Sequence, residues 1–92
     1  METRVALISI IIENPDAVEK VNAILHDGAD YIIGRMGLPY REKKINIISV
    51  AIDGPQTLIS QLSGRLGQLC GVSAKTTYSN VRTAADGTVT YD

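Results

Sequence analysis

Two stretches of the chain carry the same order of apolar and polar positions, forty residues apart. Arg4-Val5-Ala6-Leu7-Ile8-Ser9-Ile10-Ile11-Ile12-Glu13-Asn14-Pro15 is echoed by Lys44-Ile45-Asn46-Ile47-Ile48-Ser49-Val50-Ala51-Ile52-Asp53-Gly54-Pro55. In each, a basic residue opens the run and apolar residues fill it around one serine. An acid, a turn former and a proline close it. Two copies suit a split βαβ domain of duplicated halves rather than a solenoid.

The run at 5–12 is short, β-branched and bounded by Glu-Asn-Pro, which predicts a strand. Asn14 is a good N-cap and Pro15 suits the first helical position, where its missing N–H costs nothing. Ala17, Val18, Val21, Ile24 and Leu25 then recur at helical spacing, predicting a helix over 15–26 with Gly28 as its C-cap. A weaker strand follows over 31–35, and Gly37-Leu38-Pro39-Tyr40 reads as turn chemistry. Residues 44–52 form the third strand. Leu58, Ile59, Leu62, Leu66 and Leu69 mark a second helix, ended by Gly71. Val72, Ala74, Thr76 and Tyr78 alternate on one face of a fourth strand.

The order βαββαβ gives a ferredoxin-like α+β sandwich, with a four-stranded antiparallel sheet and two helices on one face. Right-handed crossovers put the first and third strands in the centre and the second and fourth at the edges. The first strand supports this, because it is apolar on both faces: Ala6, Ile8, Ile10 and Ile12 on one, Val5, Leu7 and Ile11 on the other. Two helices cover one face only, so the other exposes an apolar patch that monomers rarely carry. A second subunit is the expected cover, as a homodimer or a homotetramer. The alternative cover is the C-terminal segment, where Asp86-Gly87 can turn a small hairpin. The expected organisation is one domain over 1–80 and a tail or small hairpin over 81–92.

Composition narrows the class without naming a reaction. Ninety-two residues, 45% hydrophobic and 21% charged, make one globular domain with an aliphatic core lacking Trp and Phe. A net charge of −1 gives no global pull toward nucleic acid or an acidic membrane. The single Cys70 cannot form an internal disulfide, and the longest apolar run is too short to span a bilayer, so a cytoplasmic setting is expected.

Candidate sites are few. Between Gly34 and Lys44, two glycines and four basic residues crowd together: Gly34, Arg35, Met36, Gly37, Pro39, Tyr40 and Arg41 are the residues of interest. They read either as an effector loop, with Arg35 or Arg41 pairing a carboxylate or phosphate, or as a solvated hairpin turn. Ser63-Gly64-Arg65-Leu66-Gly67 loosely resembles a phosphate loop but lies inside a predicted helix, where its glycines better suit close subunit packing. His26 and Cys70 are the only soft ligands, too few for a self-contained structural zinc site and sufficient only for one shared between subunits. No spacing links a nucleophile to His26, so no enzyme activity is expected. A strand beginning at Arg4 leaves no helix-turn-helix or ribbon-helix-helix module, and the Arg35–Lys44 patch offers only weak phosphate contact. Both argue against direct DNA binding.

Several segments together carry a family resemblance. Gly34-Arg35-Met36-Gly37-Leu38-Pro39-Tyr40-Arg41 followed by Ile47-Ile48-Ser49-Val50 resembles the iron-only hydrogenase system regulator family. So do Leu62-Ser63-Gly64-Arg65-Leu66-Gly67 and Gly71-Val72-Ser73-Ala74-Lys75-Thr76-Thr77-Tyr78-Ser79, and the likeness covers about Arg4 to Ser79. It implies a small stand-alone domain of ACT-like, ferredoxin-like fold, similar to the effector domain of nickel-responsive repressors. Members carry the label of transcriptional regulator largely because they accompany maturation of the iron-only hydrogenase. The ACT likeness implies amino-acid binding at a subunit interface near the first strand–helix turn, which reads Glu13-Asn14-Pro15-Asp16 here. The expected protein is a non-enzymatic, ligand-sensing homo-oligomer acting through a regulatory partner. Arg35, Gly37, Tyr40 and Arg65 line its effector or interface site. The cofactor is unassigned. The rival readings are a ligand-free assembly module and a metal sensor with an intersubunit site.

Overall fold

In the computed structural model, which describes residues 1–91, the first apolar run forms β1 over Thr3–Ile12. Its side chains alternate between buried and exposed, as a pleated strand requires. Asn14 caps the next element as its residue type predicts, its side-chain oxygen accepting the Asp16 N–H at 3.1 Å. One 3-10 turn over Pro15–Ala17 leads into α1, Val18–His26, which buries Val21, Ile24 and Leu25 against the sheet. Gly28 is not the left-handed cap that the sequence suggests, since its φ is −106°. It is glycine because a Cβ there would lie 2.6 Å from Leu62 Cδ1.

After a second 3-10 turn, Ala29–Tyr31, the chain enters β2 over Ile32–Tyr40. The second strand is therefore longer than expected, and Gly37-Leu38-Pro39-Tyr40 is strand rather than turn. The turn is the next four residues, 41–44, with Lys44 at φ 56°. Pro39 is tolerated because β2 is an edge, where a missing ladder donor can face solvent. The repeat then completes itself as β3, Ile45–Gly54, and α2, Gln56–Gly67, which buries Ile59, Leu62 and Leu66. Gly71, at φ +75°, turns the chain into β4, Val72–Thr83, and a short β5, Val89–Thr90, follows.

The sheet order is β2-β3-β1-β4-β5, antiparallel throughout. The expected α+β architecture holds, with β1 and β3 central and both helices on one face. The strand count is five rather than four, because the Asp86-Gly87 turn folds the C-terminal segment back on β4. Beyond Tyr78, β4 bulges: Ala6 faces Tyr78 but Arg4 faces Arg82. Like charges directly opposite are unfavourable. Arg4 instead turns to the Tyr78 ring, 4.8 Å from its centroid, and donates from Nε to the Ser79 carbonyl at 2.8 Å. The core lies between helices and sheet and is entirely aliphatic, with Ile8, Ile10, Val50, Ile52, Ile59 and Leu66 at its centre.

The C-terminal hairpin has its own switchable part. Asp86 Oδ1 accepts the Thr88 N–H at 2.9 Å, and bonds from Thr88 hold this carboxyl below its ordinary value of 3.8. A depressed folded value means that the bond contributes fully above the ordinary carboxylate range and is lost as pH falls through the folded value. The Thr88 amide resonance should therefore titrate below about pH 4, and Asp86→Asn should abolish that titration.

Candidate functional site

The face of the sheet turned away from the helices is the largest unusual surface. Strand register arranges it in rows: Leu38–Ile47–Ile11–Ser73, then Met36–Ser49–Ser9–Lys75, then Gly34–Ala51–Leu7–Thr77. Leu7, Ile11, Ile47, Leu38 and Met36 are 41%, 42%, 37%, 56% and 69% exposed, so five large apolar side chains lie on one open surface. Each of the three half-covered residues Leu7, Ile11 and Ile47 leaves roughly 1 kcal/mol of burial unrealised. Lys75, at one margin, is the only charge in these rows. Ser9, Ser49, Ala51 and Gly34 keep the middle low, and Gly34 has open space within 4 Å of where a Cβ would stand.

On the helix side a trough runs between α1 and the edge strand β2. Arg35 is one residue out of phase with Met36, so it leaves the open face and reaches over α1. There its Nη2 donates to Asn22 Oδ1 at 2.8 Å. This bridge separates two cavities. One, of about 220 Å³, is lined by Asn22, Leu25, His26, Ala29, Ile32 and Arg35. The other, of about 200 Å³, lies between Arg35, Val18, Gly37, Pro39 and Ile48, with Leu38 and Ile47 at its margin. No atom lies within 4 Å of a Cβ built on Gly37, so no intramolecular packing demands glycine there.

The residues singled out in sequence are thus sorted onto different surfaces. Arg35, Gly37 and Pro39 border the trough, while Gly34, Met36 and Tyr40 belong to the open face. Arg41 stands in the 41–44 turn, and the Tyr40 hydroxyl donates to Glu42 Oε2 at 3.2 Å. Arg65 lies on α2, pairing with Asp27 at 2.7 Å, half exposed, and so contributes at most about 1 kcal/mol. Gly64 and Gly67 sit on the outer face of α2 with open space around them. His26 is at the trough and Cys70 is an exposed free thiol after α2. Among the described residues no three His, Cys, Asp and Glu side chains gather as a metal site. Asn22 went unnoticed in the sequence. Its signal was the helical spacing of Val18, Asn22 and His26, one face of α1 with polar residues where an apolar stripe would be core.

Residues 4–76 match the family model described as TM1266-like, iron-only hydrogenase system regulator. Among solved structures, the chain is similar to the uncharacterized protein TM1266 from Thermotoga maritima. The two are 34% identical, with a TM-score of 0.79, over 83% of this chain and 96% of that one. It shares its fold with the C-terminal domain of the MgtC protein from Mycobacterium tuberculosis (13% identical, TM-score 0.67, 83% of this chain and 87% of that one). It also shares its fold with part of a formyltetrahydrofolate deformylase from Pseudomonas putida KT2440 (14% identical, TM-score 0.60). That match takes in 79% of this chain and 28% of the deformylase. No curated protein matches the sequence.

Proposed function

This chain belongs to the TM1266-like family of iron-only hydrogenase system regulators, and on that premise we propose that it is a non-enzymatic regulatory domain that self-associates and senses a small ligand. The observation that carries this reading is the open sheet face, where five large apolar side chains lie uncovered in three rows whose one charge is Lys75. A surface of that kind is characteristic of interaction sites rather than of monomer exteriors. A second copy covers it with a self-complementary patch, as closed dimers and tetramers do.

The sensing half is supported by the trough, whose second cavity shares Leu38 and Ile47 with the open face. A ligand lodged there touches residues that assembly also uses, which couples the two events. Both helices pack on the sheet, so contact with DNA is assigned to a regulatory partner rather than to this domain. The exposed thiol of Cys70 fits a reducing, cytoplasmic compartment, and among the described residues no helix is long and apolar enough to cross a membrane.

Thermal unfolding against amino acids, carboxylic acids, nucleotides, transition metals and iron–sulfur-related metabolites tests the reading. A true effector at about 100 times its dissociation constant adds about 2.7 kcal/mol, and each kcal/mol moves the midpoint of a domain this small by about 4–8 °C. A panel without a hit, on a folded oligomer, would replace the sensor by a ligand-free assembly module.

A further inference from the structure

The trough between α1 and β2 has a more specific chemistry than its place in the fold requires. Arg35 carries five N–H donors, and among the described residues its side chain donates only to the neutral carbonyl oxygen of Asn22. None of the acidic side chains among the described residues lines either cavity. Among the described residues the one ion pair is Arg65–Asp27, away from this strand. The remaining polar groups at the first cavity are the Asn22 amide and the His26 imidazole, so donors converge there without an opposing anion. Its floor is apolar, made by Leu25, Ala29 and Ile32.

We propose that this cavity binds a small aliphatic monocarboxylate, its carboxylate on the Arg35 guanidinium and its alkyl chain on Leu25, Ala29 and Ile32. The proposal rests on the ligand-sensing half of the reading above, but it places the ligand in the first cavity, which meets the second at Asn22 and Arg35. Charge sets the sign of the occupant, since a planar guanidinium matches a carboxylate through two parallel hydrogen bonds. The floor sets the rest. Inorganic phosphate gains nothing from Leu25 and Ile32. The ammonium of an amino acid meets no carboxylate there. The volume, about 220 Å³, falls below the ~300–1,000 Å³ of pockets for drug-sized ligands and limits the chain to a few carbons.

The test is an NMR titration of the full chain, following the Arg35 side-chain Nε–H and the backbone amides of α1 and β2. The probes are butyrate, butyramide, 2-aminobutyrate and inorganic phosphate. Butyrate should bind at least about tenfold more tightly than each of the other three. Arg35→Gln should weaken butyrate by at least about tenfold, with an unchanged unfolding midpoint because this side chain is exposed. Equal binding of butyramide, or full butyrate affinity in Arg35→Gln, would overturn the assignment. Phosphate or 2-aminobutyrate matching butyrate would overturn the ligand class. No butyrate binding, beside a hit from another class in the thermal panel, removes this site and leaves the sensor reading standing. A blank in both experiments removes the two together.

Discussion

Ile11→Glu should convert the assembled protein into a folded monomer. Ile11 lies in the middle of the apolar row Leu38–Ile47–Ile11–Ser73, where a second copy must press most closely. In the isolated domain the substitution is mild, because the side chain is already 42% exposed and a glutamate there can reach water. In a face-to-face assembly the carboxylate is taken out of water without a designed partner, at a cost of several kcal/mol. Two-fold symmetry imposes that cost twice. The association constant should fall by at least about 100-fold, equivalent to 2.7 kcal/mol. Sedimentation equilibrium reads this directly, and circular dichroism reads whether the fold survives. Gln61→Glu, an equal change of charge on the exposed outer side of α2, is the control and should leave the mass unchanged. Wild-type protein that sediments as a monomer, or an Ile11→Glu variant that stays assembled, would remove the open face from the function.

Much of this was readable from residue order, and the failures have physical causes. The first helix could be placed closely because Asn14 and Pro15 act locally, through a side-chain cap and a fixed φ. The first strand declared itself central by being apolar on both faces, a demand that only the middle of a half-covered sheet makes. The second strand runs on to Tyr40, past the 31–35 that residue types predict. Gly34, Gly37 and Pro39 are turn formers by propensity, but an edge strand loses little by holding them, since Pro39 can direct its missing donor outward. Gly28 reads as a helix C-cap by residue type, but its reason is tertiary, the 2.6 Å approach of a Cβ there to Leu62 Cδ1. The same distinction divides the site. Arg35 stands out in sequence because a basic residue between glycines is unusual. Its partner Asn22 does not, because the meeting depends on how α1 lies across the sheet. Tyr40 and Arg65, grouped with Arg35 by their unusual segments, are separated from it by strand alternation and by the helix layer.

That alternation makes the sharpest stability contrast in the molecule, between two adjacent residues of β1. Ile8 and Leu7 are nearly interchangeable in composition, but Ile8 is fully buried beneath the helices and Leu7 is 41% exposed on the open face. Ile8→Ala removes three methyl-sized groups from an aliphatic core in which Val50 is the cross-strand neighbour, itself fully buried. Such truncations cost about 2–5 kcal/mol, the lost transfer energy plus the cavity left behind. The total stability of a domain this small is about 5–15 kcal/mol. The unfolding midpoint should therefore fall by at least about 8 °C. Leu7→Ala should cost roughly 1 kcal/mol or less in the isolated domain. Measured in the monomeric Ile11→Glu background, where assembly adds nothing to stability, the two substitutions separate packing within the fold from packing between copies. Restoring an assembling background should leave the Ile8→Ala deficit in place and enlarge the Leu7→Ala one, because only Leu7 faces the second copy. Equal deficits at both positions in the monomer would mean that the open face is not open, and that something within the chain already covers it.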